Sequence, residues 1–281
     1  MPCPHCAATT NELTKHTQLG YRTFRCAACR RQFNERTGTP YNDLAFPTDS
    51  VLVVVLWRLR SKLSLRDLAA MLLARGVVFT HEAVRDWEAR FAPLLTEQLR
   101  AKRKHQAGRS GPVAETSIKV HGRWHYLYRA IDQDGTLGDS LLSPKREMAA
   151  AKRFVGQARA VAANTAERVI TEGHAASPRA MRELLGEEVR HRWSPYLNNG
   201  IEQDQRGINQ RYSPMRGFNS GASAARFCRA CDEQRQYFRL RTRMRQCLPA
   251  LLEQRREFRA RWTALLAELM AASRESAGDR D

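Results

Sequence analysis

The chain has 281 residues, with 47 Lys and Arg against 29 Asp and Glu, a net charge of +18 and a pI of about 10.3. That length can hold two or three small domains, and the charge predicts a polyanionic partner, nucleic acid before an acidic membrane surface. No apolar run approaches the about 20 residues that span a bilayer. The N-terminus lacks the layout of a signal peptide. Four of the seven Cys form two CxxC pairs, a usage that favours metal ligation in a cytoplasmic protein over disulfides.

The two pairs are Cys3-Pro-His-Cys6 and Cys26-Ala-Ala-Cys29. Their spacing predicts two knuckles that place four thiolates tetrahedrally around one structural Zn²⁺. Gly20, Tyr21 and Phe24 suit a small hairpin between them, and Phe33 is placed to cover the metal. About 40 residues have too little core to fold unaided, so the metal would supply the folding energy. His5 is expected to be a spectator, because four Cys complete the shell. Lys15, Arg22, Arg25, Arg30 and Arg31 make this ribbon basic, which suits either phosphate contact or a solvated face.

Thr37-Gly38-Thr39-Pro40 and Phe46-Pro47 punctuate a linker, and Thr48-Asp49 predicts a cap for a helix over 51–59. Ser64 with Asp67 three residues on is a second cap. Leu65, Leu68, Ala69 and Leu72 recur at helical spacing, and Arg75-Gly76 stops that helix. Thr80 caps the next, with Ala83, Val84, Trp87 and Phe91 on one face. Two short helices joined by a compact turn resemble a helix-turn-helix, whose second helix enters the major groove. His81, Glu82 and Arg85, with Asp86, lie off the apolar face and are candidates for base or phosphate contacts. Arg100, Lys102, Arg103, Lys104, His105 and Arg109 then run into Ser110-Gly111-Pro112, which reads as a solvated linker or a phosphate-tracking arm.

Residues 113–132 read VAETSIKVHGRWHYLYRAID. Ile118 and Val120 alternate with Ser117 and Lys119, His121-Gly122 turns the chain, and Trp124, Tyr126 and Tyr128 recur at every second position. This predicts a β-hairpin, followed by a tight turn at Asp132-Gln133-Asp134-Gly135. Such a hairpin can present an acid to a metal ion. Where that acid is sought, the sequence reads Ala114-Glu115-Thr116.

The run KVHGRWHYLYRAID resembles the first catalytic hairpin of bacterial transposases of the insertion sequence 6 family. The likeness continues in NNGIEQDQRGINQRYSPMRG at 198–217 and upstream over 46–93, so it covers most of the chain. The resemblance implies an α+β multidomain protein. Its parts are a zinc ribbon over 1–40, a helix-turn-helix domain over 48–104, an RNase H-like domain of the DDE transposase type over 112–220, and C-terminal helices over 221–272 that could dimerise. It also implies an Asp, Asp and Glu triad holding two divalent ions, Mg²⁺ or Mn²⁺, roughly 4 Å apart. Here Ala114 stands at the first Asp and Glu172 at the second, and only Glu202 matches directly. Ser117 replaces an aromatic usual in the family. A methyl group binds no metal, and one extra methylene displaces a carboxylate that two-metal geometry needs in place. Glu115, next along the strand, should face away, and Asp132 is expected to serve the turn.

Further elements predicted for the RNase H-like domain are a strand over 137–142, a helix over 148–163, a strand over 167–170, a helix over 178–185, a strand over 189–193 and a helix opening at Asn198-Asn199. On or just after that last helix, Arg206, Arg211 and Arg216 resemble family positions that contact transposon ends. Helices are predicted over 222–240 and 249–272. Leu251, Leu252, Phe258, Trp262, Leu265, Leu266 and Leu269 form a stripe on the second, which must bury against this chain or a second copy. A homodimer is the preferred reading. Cys228 and Cys231 read as buried structural thiols. The expected function is sequence-specific, nucleoid-associated binding of double-stranded DNA in the bacterial cytoplasm, with strand-transfer chemistry lost. The alternatives are an active or weakened DDE transposase acting at terminal inverted repeats and, more remotely, an oligomeric scaffold.

Overall fold

The computed structural model describes residues 1–9, 11–103, 110–132, 135–161, 168–171, 190–193, 199–215, 217–239 and 250–275. They form two compact units, Met1–Val54 with Leu251–Asp281, and Val55–Ala250.

In the first unit, β1 (Asn11–His16), β2 (Arg22–Cys26) and β3 (Gln32–Asn34) make an antiparallel sheet in that order. Phe24 and Phe33 are cross-strand partners and stack at 5.5 Å. The Gly/Pro-punctuated segment after β3 is held down by Arg36. Its guanidinium lies 4.5 Å over Tyr21 and donates to the Leu44 and Phe46 carbonyls. Helix α1 (Thr48–Arg60) begins at the residue read as its cap, and the Thr48 backbone N–H donates to the Tyr21 hydroxyl. The last helix, α7 (Leu251–Glu275), buries Leu265 and Leu269, and the buried Tyr41 hydroxyl donates to the Leu269 carbonyl at 3.2 Å. Burial raises that phenol to about 12. Two of the seven stripe residues are therefore buried within the chain, Phe258, Trp262 and Leu266 are half-buried, and Leu251 and Leu252 stay 63% and 62% exposed.

The second unit is built on a five-stranded sheet of order β6-β5-β4-β7-β8. Strands β4 (Ser110–Val120), β5 (Arg123–Ile131) and β6 (Leu137–Ser143) are antiparallel neighbours; β7 (Arg168–Thr171) and β8 (Arg190–Trp193) add in parallel. The Ser110-Gly111-Pro112 stretch expected to be a break is the start of β4. Among the described residues β7 flanks β4 there, and pairing with β5 begins at Val113, so the proline removes no donor from the antiparallel ladder. On one face, α4 (Met148–Val161) stacks Phe154 on Tyr128 at 5.9 Å, with Val113, Tyr126, Ala130 and Leu141 around it. The helix predicted over 178–185 lies outside the described residues.

Two helices, α2 (Leu65–Leu73) and α3 (His81–Arg103), precede the sheet. The Ser64 cap forms a complete capping box: Asp67 N–H donates to its hydroxyl and Ser64 N–H to the Asp67 carboxylate. Helix α3 is not short. It runs 23 residues, through Pro93, because Phe91, Leu95, Leu99 and Arg103 continue its buried face. That burial outweighs the roughly 3 kcal/mol a helical proline costs. After α5 (Asn199–Tyr212) comes α6 (Gly221–Phe238), capped by the Ser220 hydroxyl and packed along α3 and β6.

Candidate metal centre, carboxylate site and nucleic-acid surfaces

The four ribbon thiols converge. Cys3 and Cys29 Sγ lie 3.7 Å apart, Cys6 and Cys26 Sγ 3.5 Å apart, and all four fall within 4.8 Å of one another. A tetrahedral Zn²⁺ with bonds of about 2.3 Å sets its thiolates about 3.8 Å apart, so the cluster fits the ion. Two knuckles of one geometry do this. In each, the residue after the second Cys (Ala7, Arg30) has positive φ and donates its N–H to the carbonyl of the first Cys. The Cys29 N–H pointing at Cys26 Sγ is the main reason that thiol is lowered to about 6, toward the thiolate a metal needs. His5 is exposed and outside the cluster.

Among the candidate contact residues of α3, Glu82 and Arg85 are exposed and His81 is half-exposed. Glu82 pairs with both His81, at 3.0 Å, and Arg85. The basic run at the end of α3 is neither a free linker nor a phosphate arm where it is described. Arg100 grips buried Asp139 of β6 with two bonds of 3.0 and 2.9 Å. Arg103 is itself buried and holds Glu233 of α6 at 2.5 and 2.7 Å while donating to the Leu137 and Gly138 carbonyls. Lys102 sits 5.1 Å over Tyr237. Lys104, His105 and Arg109 lie outside the described residues.

These pairs belong to a larger polar set on α6. Asp232 receives buried Arg129 at 2.6 and 3.1 Å, Gln234 donates to the Leu56 carbonyl, Cys231 to the Leu59 carbonyl, and the Gln236 side chain accepts from Leu137 N–H. Buried Arg58 adds a pair with Glu88 and lies 5.0 Å over Phe227. Burial pushes the Cys228 and Cys231 thiols well up from their ordinary range, as befits inert core thiols. Sequence reading missed Arg58, Arg129, Asp139 and Glu233, and placed Arg103 in a linker or phosphate-tracking arm. Their one sequence signal is a charge at a position the apolar period assigns inward.

At the carboxylate site, residue 114 pairs across the sheet with Arg129, and Val113 pairs with Thr171, the residue before Glu172. Glu172 lies outside the described residues. Glu202 is in the first turn of α5, a helix that packs on β4. Glu115 is turned to the α4 face, where Arg146 binds it at 2.7 Å. Asp132 closes its turn by accepting from Thr136 N–H at 2.6 Å. Both nearby acids are therefore engaged elsewhere. On α5, Arg206 is exposed, whereas Arg211 donates to the Arg60 carbonyl at 3.0 Å and to the Gly207 carbonyl. Desolvation, and then the charge of Arg211, lower the Arg60 guanidinium from its ordinary value. Arg216 lies outside the described residues.

Residues 108–240 match the DDE_Tnp_IS240 family, a DDE domain. The transposase for insertion sequence element IS257 in transposon Tn4003 of Staphylococcus aureus is 34% identical over 183 residues, 62% of this chain and 79% of that protein. The transposase for insertion sequence-like element IS431mec of S. aureus strain Mu50 matches to the same extent, 34% over 183 residues. A solved chain in a simian T-cell lymphotropic virus intasome complex with PP2A regulatory subunit B56 gamma aligns at 15% identity and a TM-score of 0.35, covering 65% of this chain and 67% of that one. The curated relatives carry the assignment: this chain belongs to the insertion sequence 6 family of transposases.

Proposed function

We propose that this chain is a DNA-binding member of its family in which two-metal strand transfer has been lost. The carrying observation is Ala114, which offers no donor where a carboxylate must bridge two ions. Glu172 and Glu202 alone do not make that donor set for Mg²⁺ or Mn²⁺. Glu115 and Asp132, the two acids of the hairpin, are held by Arg146 and by the turn.

What remains serves grip. The ribbon's four thiolates would hold Zn²⁺, whose binding supplies that segment's folding energy. The α2–α3 pair acts as a helix-turn-helix, with His81, Glu82 and Arg85 toward the major groove. Since Glu82 already neutralises Arg85, phosphate contact exchanges one partner for another. Arg206 and Arg216 add contacts, while Arg211 braces α5 against α1. The strand order of the sheet supports an RNase H-like reading of the second unit. A homodimer through the exposed start of α7 would suit two-fold DNA ends.

The test is incubation with Mn²⁺ or Mg²⁺ and duplex carrying a terminal inverted repeat. Sequence-specific, salt-sensitive binding without cleavage is expected. Cleavage or strand transfer that disappears in Glu202→Ala would establish the alternative, an active transposase.

A further inference from the structure

The β4–β5 hairpin carries a ladder of aromatic side chains on the face it shares with α4. Tyr128 is 3% exposed beneath Phe154, Tyr126 is half-buried, and Trp124 is 57% exposed. Cations interleave with the rings: Arg146 lies 5.8 Å over Tyr126, and Lys119, the cross-strand partner of Trp124, is 5.9 Å over the indole. Among the described residues, the carboxylate bound in this set is Glu115, neutralised by Arg146; Glu147 is exposed nearby. Strand β6 pairs with β5 only from Tyr126 onward, so the Trp124 end of the hairpin overhangs the sheet.

The overhang is braced. Val120 bridges to Phe218, His121 N–H donates to the Phe218 carbonyl at 2.7 Å, and Phe218 packs on Phe227 of α6 and Tyr212 of α5. An exposed indole on a fixed hairpin, with a lysine over its ring and a second cation at the next rung, has the features of a stacking platform. Base–aromatic stacking tolerates any sequence because every base has a π-face, and the cations match the strand's phosphates.

We propose that this hairpin tip binds single-stranded nucleic acid, with an unpaired base stacked on Trp124 and the adjoining phosphate on Lys119. The site is distinct from the duplex contacts assigned to α3. It would engage a frayed end or displaced strand beside a duplex held elsewhere.

The test uses the full chain and two fluorescent probes, a 20-mer of oligo(dT) and a terminal-repeat duplex. Binding is read by anisotropy, and folding by circular dichroism. Trp124→Ala should weaken oligo(dT) binding about tenfold or more, Trp124→Phe should retain it within about threefold, and neither should alter duplex binding. Lys119→Gln should flatten the salt dependence for oligo(dT). Wild-type protein that ignores oligo(dT), or a Trp124→Ala variant that binds it like wild type, overturns the proposal. Equal loss of both probes also overturns it. So does a change in sedimentation of the free Trp124→Ala variant, which would assign the face to self-association. Arg85→Ala, which should weaken the duplex alone, separates failure here from failure of the duplex-binding reading.

Discussion

The ribbon and helix α6 solve the same problem by opposite means. The ribbon has strands of six, five and three residues, an almost wholly exposed β1, and a core of little more than Phe24, Phe33 and its own sulfurs. Helix α6 lies deep in its unit and still buries Asp232, Glu233 and Gln234 in succession. Metal ligation lets a short segment fold where apolar area is too small. Buried ion pairs add little net stability, because desolvation offsets attraction, but removing one partner is costly. The pairs on α6 thus fix which surfaces of α3, β5 and β6 meet it, by charge matching that a slipped packing would break.

That contrast can be tested from its largest effect to its smallest. Stripping the metal with a strong chelator should abolish amide-exchange protection across β1–β3 while Val55–Ala250 keeps its own. A ribbon that stays protected would show that its few apolar contacts suffice. Next, Glu233→Ala should lower the unfolding free energy by up to about 3–5 kcal/mol, measured in denaturant, because it leaves buried Arg103 with only Asp139 at 3.5 Å among the acids paired with it in the described residues. Replacing both, Arg103→Met with Glu233→Leu, should recover most of that loss. If the double variant is as damaged as the single, the pair is a net stabiliser and the comparison fails.

Smallest is the cap of α2. Ser64→Ala should cost about 1 kcal/mol. The capping carboxylate also has a pH signature. Asp67 is held below its ordinary range by the Ser64 side chain and then the Ser64 backbone. Its contribution is therefore complete above the ordinary carboxylate range and fades as pH falls through the lowered value. The gap between the wild-type and Ser64→Ala denaturation midpoints should narrow in acid without closing, because the bond from Asp67 N–H to the Ser64 hydroxyl does not titrate.

Much of this was legible in the sequence because it is local. The two CxxC knuckles, the Ser64 cap, the alternating hairpin and the CxxC-like pair Cys228 and Cys231 on a buried helix each follow from spacing alone. The family likeness rested on the same hairpin. The length of α3 was not legible, since the residues that carry the helix on past Pro93 are buried by α6, 130 positions away at the Arg103–Glu233 pair. Likewise the run from Arg100 to Arg103 has the look of a solvated patch, and its partners Asp139 and Glu233 are distant in the chain. The stripe on α7 announced burial but not its cover, which is partly Tyr41 at the far end of the sequence.

The register of β4 on β5 sets what stands across the ladder from Ala114. Position 114 faces the strand neighbour Arg129, whose guanidinium is already clasped by Asp232. An aspartate installed there would stand across the ladder from a guanidinium that already has its carboxylate. It would enter a contest with Asp232 for one arginine, and a carboxylate drawn sideways is poorly aimed at a cation. On the reading proposed above, restoring an acid at 114 means resetting a charge triangle as well as replacing a methyl group.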